Sequence, residues 1–314
     1  MFEEVRDARV SPSMTLRDLI EAYRGMHGFM AGHLAEAVEV LREGLRESRL
    51  RVLSFTANLV ATGLRGVLAQ LVDSGLFDVV ITTAGALDHD IARGTGGRYL
   101  RGRFEADDAE LYERGYHRLG NVFIPIQDYG PKVEAFVRDL VAEARRRGGE
   151  RWPLYKLLGL AGEMLDARGA RDSILASAWR RGVEVFVPGW PDGAFGTALF
   201  MEAQRGNRVE VDYYEDMKRL ADHFFPREGK AAALIVGGGI SKHHTIWWSQ
   251  FREGLDYVVY VTTAVEYDGS LSGAHPREAV TWGKVKPRAR RAVVYGDATL
   301  ILPIIAAGLL EGLS

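Results

Sequence analysis

The chain has 314 residues, of which 47% are hydrophobic and 26% charged, with a formal net charge of −2 and no cysteine. That length can bury a large core, the near-neutral charge gives no global pull toward nucleic acid or an anionic membrane, and the missing thiol excludes disulfides, thiolate catalysis and cysteine-held metal. The acidic start MFEEVRDARV is no signal peptide, and the most apolar stretch, Leu300–Leu310, is too short for a bilayer and contains Pro303, so a soluble protein is expected.

In chain order, a long helical pattern over Thr15–Arg46 comes first, followed by an apolar strand at Arg51–Thr56, a helix over Leu59–Asp73 and a strand at Asp78–Thr83. Arg93–Arg118, rich in glycine, arginine and acidic residues, reads as an irregular excursion, and a helix over Pro131–Arg147 runs into the basic turn Arg145–Arg151. A helix over Ser173–Arg180, a strand at Val183–Val187 and a helix over Tyr213–His223 come next. The strand Ala231–Val236, the helix Lys242–Arg252, the strands Tyr257–Thr263 and Ala292–Tyr295 and the helix Thr299–Leu310 complete the series. Most of these strands are apolar throughout rather than alternating, which predicts parallel strands covered on both faces. Their alternation with helices predicts a doubly wound, mostly parallel α/β sheet. No linker is evident, so residues 1–50 read as an N-terminal helical extension and residues 51–314 as one α/β domain.

In such a sheet ligands bind beyond the carboxyl ends of the strands. The residues found there are Thr82–Ala86, Pro188–Gly193, Gly237–Gly239, Thr262–Ala264 and Gly296–Ala298. Small residues let a long ligand approach the backbone and leave N–H groups at helix starts for phosphates. Any one such turn reads equally well as a tight strand–helix turn or as a ligand-binding one, but five on one edge point to a dinucleotide. The dehydrogenase fingerprint is absent, since Lys242 stands at the third glycine position after Gly237 and the first strand ends in Thr56-Ala57-Asn58-Leu59. Adjacent helical histidines such as His243 and His244 point about 100° apart and rarely share a metal. A histidine at that helix start reads either as an acid/base or as a polar contact.

The segment EYDGSLSGAHPREAVTWGK, Glu266–Lys284, carries the most chemistry. Its carboxylates suit an ammonium ligand and its tryptophan attracts cations and packs on methylenes. The chain has only seven lysines, so a lysine beside Gly283 and Trp282 is not there by default. Desolvated, it is an amine nucleophile able to form a Schiff base; solvated, it is a surface lysine, and the residues alone leave both open.

These motifs resemble deoxyhypusine synthase. The resemblance is carried by VGGGISKHH and by the stretch Leu255–Lys284, and also by FTANL at Phe55–Leu59, ITTAG at Ile81–Gly85, GNVFIP at Gly120–Pro125, PDGAFG at Pro191–Gly196 and YGDATLILP at Tyr295–Pro303. It implies a Rossmann-like NAD-binding catalytic domain over residues 51–314, a cytoplasmic homotetramer with active sites at subunit interfaces, and no nucleic-acid or membrane partner. The implied reaction moves the aminobutyl group of spermidine to a lysine of translation initiation factor 5A through an enzyme-lysine imine, with NAD taking and returning the hydride. By motif, Lys284 would be the Schiff-base lysine and His243 the general base. Asn58, Thr83, Ala84, Gly85, Asp192, Thr263, Ala264, Asp268, Asp297 and Ala298 would hold NAD. Gly238, His243, Gly269, Ser270, Glu278 and Trp282 would line the polyamine channel. The chain departs from the family pattern at Leu271, Thr197, Trp247 and His89, where aspartate, aspartate, asparagine and glutamate are usual, and fewer carboxylates weaken the hold on a triply charged polyamine. Residues 1–50 match less well and resemble a shorter form of a gating extension. The alternatives are a homospermidine synthase-like transferase acting on a free diamine, a non-catalytic NAD-binding paralogue, which the presence of Lys284 and His243 disfavours, and an NAD-dependent deacylase, disfavoured by the lack of a cysteine zinc module.

Overall fold

The computed structural model describes residues 2–311, which form an α/β protein of two compact units. The first unit contains residues 2–55, 76–78 and 221–311, and the second residues 56–75 and 79–220.

The first unit is built on four parallel strands in the spatial order Val285–Tyr295, Leu255–Thr262, Lys230–Val236, Ser48–Phe55. One row across them reads Val52, Ala233, Val258, Arg291. In the strand KAAALIV every residue after Lys230 is buried, which a strand achieves only with both faces covered, as the unbroken apolar runs predict. Because the strands are parallel, their carboxyl ends share one edge, where Gly237 N–H bonds to Val261 O at 2.8 Å and Gly296 N–H to Thr262 O at 2.9 Å. The helix Met30–Glu47 lies against all four strands, and a Cβ on its Gly44 would come within 2.6 Å of Tyr257 Cβ, so only glycine permits that approach. The helices Leu16–Met26 and Ala298–Leu310 pack on Met30–Glu47.

The expected continuous helix over Thr15–Arg46 is two helices, Leu16–Met26 and Met30–Glu47. The chain turns at His27 and Phe29, with φ of 53° and 51°, beside the poor helix formers Gly25 and Gly28. Thr15 starts the first helix with a capping box closed by Asp18.

The second unit pairs the parallel strands Val79–Ile81 and Glu184–Phe186 and carries the helices Ala57–Ala61, Arg65–Asp73, Ala84–Gly94, Gly130–Gly148, Leu154–Ala167, Ile174–Arg181 and Ala194–Gln204. The expected helix Leu59–Asp73 is broken at Gly63, which takes φ of 103°. The stretch expected to be irregular, Arg93–Arg118, is ordered. Strand Leu100–Arg101 pairs antiparallel with Val122–Pro125, as does Tyr116–Leu119, and Asp107 caps the helix Asp108–Glu113 between them. Among the described residues no helix is long and apolar enough to cross a membrane.

Candidate active site

Lys284 opens the strand Val285–Tyr295, directly after the helix Pro276–Thr281 and the turn Trp282–Gly283. Gly283 takes φ of 67°, which favours glycine there. The backbone of Lys284 is held on both sides, its N–H bonding to Ala279 O at 3.0 Å and its carbonyl accepting from Leu255 N at 3.1 Å. Its side chain is 8% exposed. The Nζ atom lies 5.0 Å from the ring centroid of Trp282 and 5.6 Å from that of Trp247, and the lysine borders a cavity of about 170 Å³ within the first unit. The reading of Lys284 as a solvated surface residue is therefore not what the fold builds.

His243 borders the same cavity from the helix Gly239–Ser249. Its ring stacks on Trp247 at 5.8 Å. Burial, and then the charge of Lys284, pull its pKa below the usual histidine value, so it is a neutral base at neutral pH. Its neighbour His244 is turned elsewhere and accepts from the Trp248 indole N–H at 3.1 Å, with its pKa lowered to about 4 by burial and then by His243.

Glu278 and Trp282 also border the cavity, and Glu278 is the one carboxylate among its lining residues. Leu271 contributes an apolar wall. Gly269, in the left-handed region at φ of 74°, and the exposed Ser270 lie on the adjoining loop, where Asp268 Oδ1 accepts from Ser270 N at 2.6 Å and bonding by the Ser270 side chain, and then by that N–H, lowers the Asp268 pKa. Gly238 does not border this cavity. It is needed where it stands, because a Cβ there would meet Ser272 Oγ at 2.0 Å, and that hydroxyl accepts from Gly239 N–H.

The cavity's members that the motifs did not single out include Lys242 and Tyr260. Lys242, 1% exposed, donates from Nζ to Ala274 O at 2.8 Å and Ser272 O at 3.2 Å, and lies 4.1 Å above the Tyr260 ring. Burial lowers its pKa to about 8, Glu278 opposing. Tyr260 is buried, its hydroxyl has no hydrogen-bond partner among the described residues, and burial pushes its pKa up. A lysine in a chain with seven was a usable signal for the first; nothing local marked the second.

The residues expected to hold a dinucleotide sit on the turns where they were sought. In the first unit, Thr263 and Ala264 follow the strand Leu255–Thr262, with Ala264 N–H bonded to Thr262 Oγ1, and Asp297 caps the helix Ala298–Leu310 by accepting from Thr299 N at 2.8 Å. In the second unit, Asn58 accepts from Thr56 Oγ1 at 2.7 Å, and Ala84 and Gly85 begin the helix after the strand Val79–Ile81. Thr83 caps that helix without a side-chain bond, and its Oγ1 is a buried hydroxyl with no partner among the described residues. Asp192 is exposed beside Gly193.

One of the expected anion sites is already filled by the protein. Asp88 accepts from Ala194 N at 2.9 Å, Phe195 N at 2.8 Å and the Tyr129 hydroxyl at 3.0 Å, so the start of the helix Ala194–Gln204 is satisfied internally. Asp90 does the same for Ile174–Arg181 while pairing with Arg65 at 2.6 Å. Between them, His89 is buried, bonds to the Tyr99 hydroxyl at 2.7 Å and has its pKa lowered to about 4, first by burial and then by Arg93. Thr197 is exposed on the Ala194–Gln204 helix.

A family profile described as deoxyhypusine synthase matches residues 18–309. A protein of Aeropyrum pernix named "probable deoxyhypusine synthase" is 72% identical over 311 residues, covering 99% of both chains. Proteins of the same name from Ignicoccus hospitalis and Sulfolobus acidocaldarius are 57% and 49% identical, covering 98% of this chain in each case and 96% and 97% of their own. Among solved structures, one from Entamoeba histolytica carrying the same family name superposes with a TM-score of 0.65 at 18% identity, covering 98% of this chain and 97% of its own, a likeness of fold.

Proposed function

Because the chain belongs to the deoxyhypusine synthase family, we propose that it is the transferase that moves the aminobutyl group of spermidine to a lysine of translation initiation factor 5A, with Lys284 carrying the group as an imine. The observation that carries this reading is the setting of Lys284: a nearly buried amine between two indoles, bordering a cavity with a neutral imidazole and a single carboxylate.

Each side chain has a task in that cavity. Glu278 pairs with an ammonium of the donor, and Trp282 packs on its methylenes. His243, neutral at working pH, takes the proton released as the donor amine is oxidised to an imine. The Lys284 amine adds to the imine carbon and 1,3-diaminopropane departs, leaving the four-carbon unit on Lys284 through a C=N bond. The acceptor lysine then exchanges with Lys284 in the same manner.

NAD, when bound, supplies the acceptor and then the donor of the hydride. Thr263, Ala264, Asp268, Asp297, Ala298, Asn58, Thr83, Ala84, Gly85 and Asp192 are the residues proposed to hold it. The orphaned Thr83 hydroxyl fits such a role, because a buried hydroxyl without a partner costs free energy until a ligand supplies one. Gly238, Gly269 and Ser270 are proposed as backbone walls of the polyamine path. We further infer a cytoplasmic homotetramer in which residues 1–50 form a helical extension and residues 51–314 the NAD-binding catalytic domain.

The test is Lys284→Arg, assayed with labelled spermidine, NAD and either the factor or putrescine. The variant should bind NAD and transfer nothing, because a guanidinium does not form the imine. Transfer at the wild-type rate would overturn the assignment of Lys284, and label on putrescine rather than on the factor would replace the acceptor.

A further inference from the structure

Lys242 borders the cavity and has no task in the chemistry proposed above, yet the fold buries it to 1% exposure. That burial is complete within a single chain, so it does not depend on neighbouring subunits. A buried charge is costly unless its bonds are met, and here the bonds go to one loop. Nζ donates to Ala274 O at 2.8 Å and to Ser272 O at 3.2 Å, and lies 4.1 Å from the Tyr260 ring centroid. Thr262 Oγ1 also donates to Ser272 O, at 3.3 Å, and Ser272 Oγ accepts from Gly239 N–H at 3.1 Å. Gly273, between the two carbonyls, has no room for a side chain, because a Cβ there would overlap Val265 O. The loop tied down in this way is a wall of the cavity, to which it contributes Leu271, Ala274 and His275.

We propose that Lys242 is a positioning residue that fastens the loop of residues 271–275 to the helix carrying His243, and so fixes the wall of the donor site relative to the base. This rests on the reading of the cavity as the spermidine site. Lys242 and His243 are adjacent on the helix Gly239–Ser249 and point about 100° apart. One turn of helix therefore supplies both a base to the cavity and a tie to its wall. Irregular backbone is what needs such a tie. A helix or strand satisfies its own carbonyls, whereas Ser272 O and Ala274 O belong to neither. An ammonium carries three donors and can hold two carbonyls at once, while a methionine of similar length has no donor for either.

The experiment compares the full-length wild type with Lys242→Met and Ser272→Ala, measuring 1,3-diaminopropane release from spermidine with NAD and, separately, amide hydrogen exchange. Lys242→Met should raise the KM for spermidine about tenfold, the size expected for losing hydrogen bonds to a charged group. It should change kcat by less than about threefold, because Lys284 and His243 are untouched. The amides of Gly273 and Ala274, bonded to Ser270 O and Leu271 O at 3.2 Å each, should exchange faster, while those of the strand Leu255–Thr262 keep the wild-type rate. Ser272→Ala cuts only the tie to Gly239 N–H and should raise KM in the same direction by a smaller factor. A KM unchanged in both variants overturns the proposal, and so does a methionine variant that loses kcat at constant KM. If the methionine variant does not fold, a wild-type KM in Ser272→Ala overturns it. If the wild type releases no diaminopropane, it is the spermidine reading that fails, and hydrogen exchange alone then judges the tie.

Discussion

Lys242→Met should change how stability depends on pH, with little effect on the fold itself. The Lys242 ammonium is 1% exposed, and burial brings its pKa from 10.5 to about 8. An unfolded chain keeps this lysine protonated up to the ordinary value, while the folded chain releases the proton near 8. Below about pH 8 both states are charged and the folded state bears the whole burial cost; above the ordinary lysine value both are neutral and the cost is gone. Between those limits the unfolded state binds more protons, so wild-type stability rises with pH relative to the methionine variant. Each pH unit is worth 1.36 kcal/mol, which makes the full rise about 3 kcal/mol. The bonds to Ala274 O and Ser272 O favour the charged form, so that figure is a ceiling. Chemical denaturation of both proteins at several pH values between about 7 and 11 measures the difference. A wild-type minus variant gap that does not move with pH would refute the buried, readily deprotonated ammonium described here.

Lys284→Met should raise the pKa of His243 toward its ordinary value, because the lysine charge is one of the two causes that hold it down. An NMR titration of the ring in both proteins reads this, and an unchanged value would separate the two side chains. Leu271→Asp should lower the KM for spermidine by about tenfold or less, since it adds a second carboxylate to a cavity lined by Glu278 alone; a raised or unchanged KM would show that the donor's charges lie elsewhere. Asp88→Ala should destabilise the second unit by about 2–4 kcal/mol, leaving the N–H groups of Ala194 and Phe195 unpaired, and a melting temperature equal to wild type would contradict that.

The apolar runs at Ala231–Val236 and Tyr257–Thr263 were legible as parallel strands because a strand covered on both faces has no polar side to show. The helix break at His27 and Phe29 was not, since neither residue type ordinarily takes positive φ. Lys284 stood out through its neighbours in sequence, Trp282 and Gly283. Lys242 looked like an interruption of a glycine pattern, because what makes it unusual is the pair of carbonyls 30 and 32 residues further on. Asp88 and Asp90 likewise spend their charges on helices more than 80 residues away, a pairing that no local pattern displays.

The most direct measurement is peptide mass spectrometry of the enzyme reduced with borohydride during turnover of spermidine and NAD. Two lysines line the cavity, Lys242 and Lys284. The account predicts a four-carbon amine adduct on Lys284 and none on Lys242. An adduct on Lys242, or an enzyme that turns over spermidine with neither lysine modified, would contradict it.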